Sequence, residues 1–435
     1  MQREITLARS DGPIAPKFRI RVMMRIFLLL PLTLIAGPRV IVGNVVHINK
    51  DILTVLLICG FTAFAARSYY LRFLERRSDF AVIDVLVGFQ FAVALIASLA
   101  YIALGISVPG DAAYGIYYYA LSPLLLYAGF SIARITPDWR RALYWSCLIT
   151  YTIMLTAGVC EVLGVDFWLF ENERFVVQRN FLGMARASGL YGTQIDFGCL
   201  SFIYFSYTYL LAWTSKQKRH GLVGLLAVLG VLLSGSRVWL LATSVVLLIP
   251  ILKVRSVKKV IVSAVIVTLL ATALVPVINT LGLIDVVLSR DEVSQNSNAD
   301  RSYYLRHAPR WLIDDYAIVG TGPGTQTGPD SQGKKIIGDF LWLAILVDYG
   351  TILGIVIVGL RLSLLAVVFR RSWVRRRINL AQILACTLCA AQFLASFVDS
   401  AFAHITTLSI FYLVAGIALH DTNRLNSEPA PSMVF

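Results

Sequence analysis

Runs of roughly 18 or more mostly apolar residues recur about a dozen times along this chain, each long enough to cross a hydrocarbon core of about 30 Å as a helix. That recurrence excludes an ordinary soluble domain. Composition agrees: of 435 residues, 57% are hydrophobic and 15% charged, and mean hydropathy is +0.73. A transmembrane barrel would show alternating segments of roughly ten residues instead, so the expected fold is an all-α polytopic membrane protein. Crossings are expected at residues 22–42, 51–67, 81–105, 115–134, 142–163, 193–213, 221–235, 238–252, 259–281, 339–361, 378–398 and 405–420. The first is read as an uncleaved helix rather than a signal peptide, since its basic lead is long and Pro38 follows the only small-residue site. Both termini are then cytosolic. The expected layout is one integral domain: a tail at 1–21, nine helices over 22–281, a large periplasmic loop at 282–338 holding short helices, three helices over 339–420, and a second tail at 421–435.

The formal charge of +14 follows this topology and needs no nucleic-acid partner. Of 39 lysines and arginines, 27 fall in segments that the topology makes cytosolic, including Arg361 grouped with the cluster that ends at Arg377. The six cysteines lie in or beside apolar segments, which argues against an extracellular disulfide framework. Cys386 and Cys389 spell CxxC, but inside a helix that spacing is one packed face.

Polar chemistry concentrates elsewhere. The stretch from Asp285 to Tyr349 holds Arg290, Arg301, Arg306, Arg310, His307, the turn Gly320-Thr321-Gly322-Pro323-Gly324 and, before the next apolar run, Asp339. Asp300 is the expected N-cap of a short helix through Leu305, and Pro309 the expected start of a second running to Tyr316. On the same outer side, the loop at 164–192 carries Arg174, Arg179 and Arg186 among aromatic residues. Arg237 stands in Ser234-Gly235-Ser236-Arg237, at the outer hinge between two apolar segments, and a cation so near the membrane is a functional candidate. Arg186, Arg237 and one of the large-loop arginines (Arg301, Arg306 or Arg310) are expected to form a three-sided cationic pocket for a lipid diphosphate, because guanidinium forks bind phosphate oxygens in two-point fashion.

In order and topology these pieces resemble the O-antigen polymerase and ligase superfamily of bacterial inner-membrane glycosyltransferases. The resemblance rests on RASG at Arg186–Gly189, SGSR at Ser234–Arg237, and a large outer loop closing in VGTGPGT followed by DFLWLAILVDYGTILG with Tyr349, Gly350 and Gly354. It covers about residues 180–360. Ligases of the superfamily carry a His, usually with an Asn, before the last of these helices; Gly338 and Asp339 here are more like the polymerase branch. The resemblance therefore implies a polymerase that joins repeat units carried on undecaprenyl diphosphate into O-antigen, capsule or exopolysaccharide at the periplasmic face. Its implied partners are those lipid-linked oligosaccharides, membrane lipids and, as a candidate, a chain-length regulator. A ligase acting on lipid A core and a flippase are the alternatives, although no internal repeat of the transporter kind is evident.

Departure of a lipid diphosphate from an anomeric carbon builds charge that preorganised cations stabilise. No DxD motif and no His/carboxylate cluster with ligand spacing appears on the outer side, so arginines are expected in place of a metal, with no cofactor. His307 and Asp339 are the candidate bases for the acceptor hydroxyl, Asp339 having helix N-capping as its competing role. Asp348 is expected to support the site, in a buried polar network or as partner to an arginine such as Arg237. His404 and Asp399 are weaker candidates. The near P-loop at 328–335 lacks the Ser or Thr after its lysine and is set aside.

Overall fold

The computed structural model describes residues 81–135, 139–163, 194–215, 218–252, 292–326, 336–337, 340–373, 380–397 and 405–427, with isolated positions at 60, 63 and 187. Among these residues the regular structure is helical throughout, without a strand. In a bilayer that is what the backbone demands, since every N–H and C=O must be satisfied inside its own segment. The helices are α1 (Ala81–Ala103), α2 (Pro109–Gly115), α3 (Leu125–Ile135), α4 (Trp139–Val162), α5 (Gln194–Ser215), α6 (Lys218–Ser234), α7 (Arg237–Leu252), α8 (Glu292–Arg310), α9 (Leu341–Tyr349), α10 (Thr351–Trp373), α11 (Leu380–Ala395) and α12 (Ile405–Ser427). This is not the list of expected crossings: α2 and α8 are additional, α9 and α10 divide the crossing expected at 339–361, those expected at 22–42 and 259–281 lie outside the described residues, and of 51–67 only positions 60 and 63 are described.

Four described segments are long and apolar enough to cross a membrane: Ala81–Ala103, Pro109–Arg134, Gln194–Trp213 and Thr351–Ser372. Helix α1 shows why such segments suit lipid. Ile83, Val87, Ala94 and Ala97 are buried in the protein, while Val82, Val85, Phe89, Ile96 and Leu99 are exposed and equally apolar. A helix hydrophobic on both faces needs an apolar solvent on the outer one.

The second segment is irregular for a local reason. Pro123 has no N–H to return to the carbonyl of Tyr119, and the chain widens to a π-helix over Ile116–Leu121 before one 3-10 turn at Ser122–Leu124. The Tyr119 carbonyl accepts from Gln90 Nε2 of α1 at 3.0 Å. The break is in this way satisfied by a neighbouring helix. At the other face, α3 meets α12 at close range: a Cβ on Gly129 would collide with the Leu413 carbonyl, and one on Gly416 with that of Leu126. Small residues at facing positions are how helices approach each other in lipid, where burial of side chains gives no preference for protein over acyl chains.

Three expectations are corrected. The crossing expected at 339–361 is two helices, because Gly350 at φ 78, ψ 152 occupies backbone space reserved for glycine and turns the chain from α9 into α10. The two short loop helices expected around Asp300 and Pro309 are one helix, α8, which runs through Pro309 and widens into a π-turn at Trp311–Asp315 just after it. Arg361, counted with the cytosolic cluster, is the eleventh residue of the 23-residue α10 and fully buried.

Candidate functional site

The glycine-rich turn is a backbone plug set against the end of α9. Thr321 and Gly322 donate their N–H groups to the carbonyls of Val347 and Asp348 at 2.9 and 3.0 Å. The Asp348 carboxylate, completely buried, accepts from Gly324 N at 3.3 Å and Gln326 N at 2.7 Å. Gln326 passes the order on, its Oε1 accepting from Ile336 N and Ile337 N at 2.8 and 3.0 Å. Tyr101 of α1 closes the arrangement by donating its hydroxyl to the Tyr349 carbonyl at 2.8 Å and accepting from Gly320 N at 3.0 Å. Glycine is required here by space as well as by dihedral angle. Gly322 and Gly324 have φ of 112 and 85, and a Cβ on Gly324 would strike the Asp111 carbonyl.

Helix α8 and its π-turn rest on this plug. Thr351, the first residue of α10, donates Oγ1 to the Leu312 carbonyl at 2.7 Å and its N–H to Tyr316 at 2.9 Å. Along α8 and into its π-turn the rings of Tyr303, His307 and Trp311 form a row, with the Tyr303 and His307 centroids 4.0 Å apart and those of His307 and Trp311 5.8 Å apart. His307 Nδ1 lies 2.8 Å from the Tyr303 carbonyl. A carbonyl can only accept, so Nδ1 is the donor in this contact. Arg301 is half-buried on the same helix, whereas Arg306 and Arg310 are exposed, Arg310 pairing with Asp315 at 3.5 Å.

Two of the sequence motifs meet. Ala187, next in the chain after Arg186, is buried and donates its N–H to the Leu233 carbonyl at 3.0 Å. That carbonyl belongs to the last turn of α6, which ends at Ser234. Gly235 then reverses the chain at φ 63, and α7 begins at Arg237. Gly198 of α5 lets this turn approach, since a Cβ there would lie 2.7 Å from Ser234 Oγ and 3.0 Å from the Trp239 ring. The RASG and SGSR segments, far apart in sequence, are therefore joined through the backbone. Arg186, Asp339, Asp399, His404 and the side chain of Arg237 lie outside the described residues.

One residue that sequence reading misplaced completes the picture. The Arg361 guanidinium carbon lies 5.8 Å from the ring centre of Tyr118 and 6.0 Å from that of Trp342. With its carboxamide oxygen turned toward the guanidinium, buried Gln392 of α11 accepts from Nη2 at 2.9 Å and from Nε at 3.2 Å. Nη1 has no hydrogen-bond partner among the described residues, and neither has the buried Nε1 of Trp342. A signal was available in sequence: Arg361 interrupts an uncharged run, with residues 349–360 before it and 362–369 after it.

No protein-family model matches this chain, and no curated protein matches it in sequence.

Proposed function

We propose that this protein is a membrane glycosyltransferase that joins isoprenoid-diphosphate-linked oligosaccharide units at the outer face of a bacterial inner membrane. In that reaction a hydroxyl of the incoming unit attacks the anomeric carbon of the growing chain. The bond from that carbon to the phosphate oxygen breaks, the diphosphate leaves with the electron pair, and the hydroxyl proton passes to a base. The observation that carries the reading is the hydrogen bond from Ala187 to Leu233, which ties together the two segments that bear Arg186 and Arg237. Two arginine-bearing segments joined by a backbone hydrogen bond suit a leaving group whose charge grows as the bond breaks, because cations already in place need no reorganisation when it does. In this reading His307 is the base, acting through Nε2 while the Tyr303 carbonyl engages Nδ1, with Asp339 as the other candidate.

The test is genetic and biochemical together. A strain that lacks the gene should accumulate single lipid-linked repeats, and Arg237→Ala should fail to restore polymer while reaching the membrane at wild-type level. The loss expected for one such donor is about a hundred- to a thousandfold in rate. Long chains left unattached on the carrier lipid would instead point to a ligase.

A further inference from the structure

The start of α9 collects three features that all seek negative charge. Its first-turn N–H groups receive no side-chain cap, because the preceding residue is Phe340, held at φ 61, ψ 72, where a non-glycine residue is uncommon. Trp342, the second residue of the helix, is only 7% exposed, and its indole N–H has no acceptor among the described residues. Arg361, with 0% exposure, approaches the same indole ring and keeps Nη1 unused, and no carboxylate among the described residues pairs with it. Gln392 neutralises none of its charge, since an amide oxygen supplies only a dipole.

A buried guanidinium without a counter-charge is costly, and so is a buried donor without an acceptor. A helix N-terminus adds its own partial positive charge and free N–H groups. All three deficits are met by one oxyanion. Ten rises of about 1.5 Å place Arg361 some 15 Å along α10 from Thr351.

We infer that the start of α9, Trp342 Nε1 and Arg361 Nη1 together bind a phosphate group of the isoprenoid diphosphate. This inference rests on the function proposed above and adds to it a phosphate position that none of the sequence motifs contains. Nε and Nη2, engaged by Gln392, orient the guanidinium so that Nη1 remains for the ligand.

The experiment uses the full-length protein purified in detergent, with farnesyl diphosphate as the probe and farnesol as the uncharged control. Trp342→Phe keeps the ring and removes the N–H, and should weaken farnesyl diphosphate binding about tenfold, the equivalent of one hydrogen bond. Arg361→Met keeps much of the volume without the charge. It should weaken binding about a hundredfold while leaving the unfolding temperature unchanged or higher, since an uncompensated buried charge has been removed. Wild-type affinity in both variants, with a lowered unfolding temperature for Arg361→Met, would assign these residues to packing alone and overturn the site. If phosphatidylglycerol competes as well as the diphosphate does, the oxyanion is a bilayer headgroup and the substrate assignment fails. Failure of the wild type itself to bind the diphosphate would count against the lipid-diphosphate chemistry as a whole, so the two readings fail in distinguishable ways.

Discussion

Asp348 shows how a single side chain can organise a loop. Its two carboxylate oxygens accept from two backbone N–H groups of the glycine turn, with no exposure to water. Asparagine has the same shape but only one acceptor oxygen, so Asp348→Asn turns an NH2 group toward one of those donors. Hydrogen bonds to a charged group contribute about 1.5–3 kcal/mol each, and Asp348→Asn should lower stability by an amount in that range. Thermal unfolding of the purified variant checks this, and an unchanged midpoint would mean that the turn does not depend on the carboxylate. His307 should behave differently. It is partly exposed on a helix that its ring does not hold together, so His307→Ala should leave unfolding unchanged while polymer synthesis falls about a hundredfold or more. Wild-type synthesis in that variant would remove His307 from the reaction.

Sequence revealed these residues unequally. The aspartate and the glycines announced themselves, because a charged residue in an apolar run and a cluster of glycines both need explanation. Arg361 did not. Counting basic residues near helix ends assigns any arginine in a cluster to the cytosol, and Arg370 and Arg371 at the end of α10 made that cluster. Burial by side chains from α9, α11 and the π-helical segment is a property of packing, which no count of charges contains.

At the scale of elements, the main lesson is the α9–α10 break. An apolar run over 339–361 reads as one crossing, and only the backbone angles at Gly350 divide it. The same region offers a paired test among glycines. A Cβ on Gly324 would meet the Asp111 carbonyl and force a left-handed conformation on an alanine, whereas one on Gly359 of α10 would meet nothing within 4 Å. Gly324→Ala should therefore destabilise the protein by about 1–2 kcal/mol or more and reduce synthesis. Gly359→Ala should be silent in both measurements or slightly stabilising. Equal effects would show that the plug tolerates movement. The helices themselves were legible wherever a run was long, uninterrupted and flanked by charge, as in α1, α5 and α12. The polar α8 was misread as two pieces because Pro309 was taken for a helix start, although at the penultimate position a proline forfeits a single bond.

For the molecule as a whole, the described helices form a membrane protein whose polar loop is anchored to α1 and α10 at one end of the bundle. From the charge distribution we propose that this end is the outer one. In a background without native cysteines, Leu305→Cys, exposed on α8, should react with a membrane-impermeant maleimide in intact spheroplasts. Labelling only after permeabilisation would invert the orientation and remove the loop from the periplasm.

The central claim is that this chain alone elongates lipid-linked glycan, and reconstitution addresses it most directly. Purified protein in detergent, given isoprenoid-diphosphate-linked repeat units and no ion gradient, should yield a ladder of longer products, and Arg237→Ala should yield single units only. If the wild type leaves verified substrate at one unit, or if Arg237→Ala produces the same ladder, the account is contradicted.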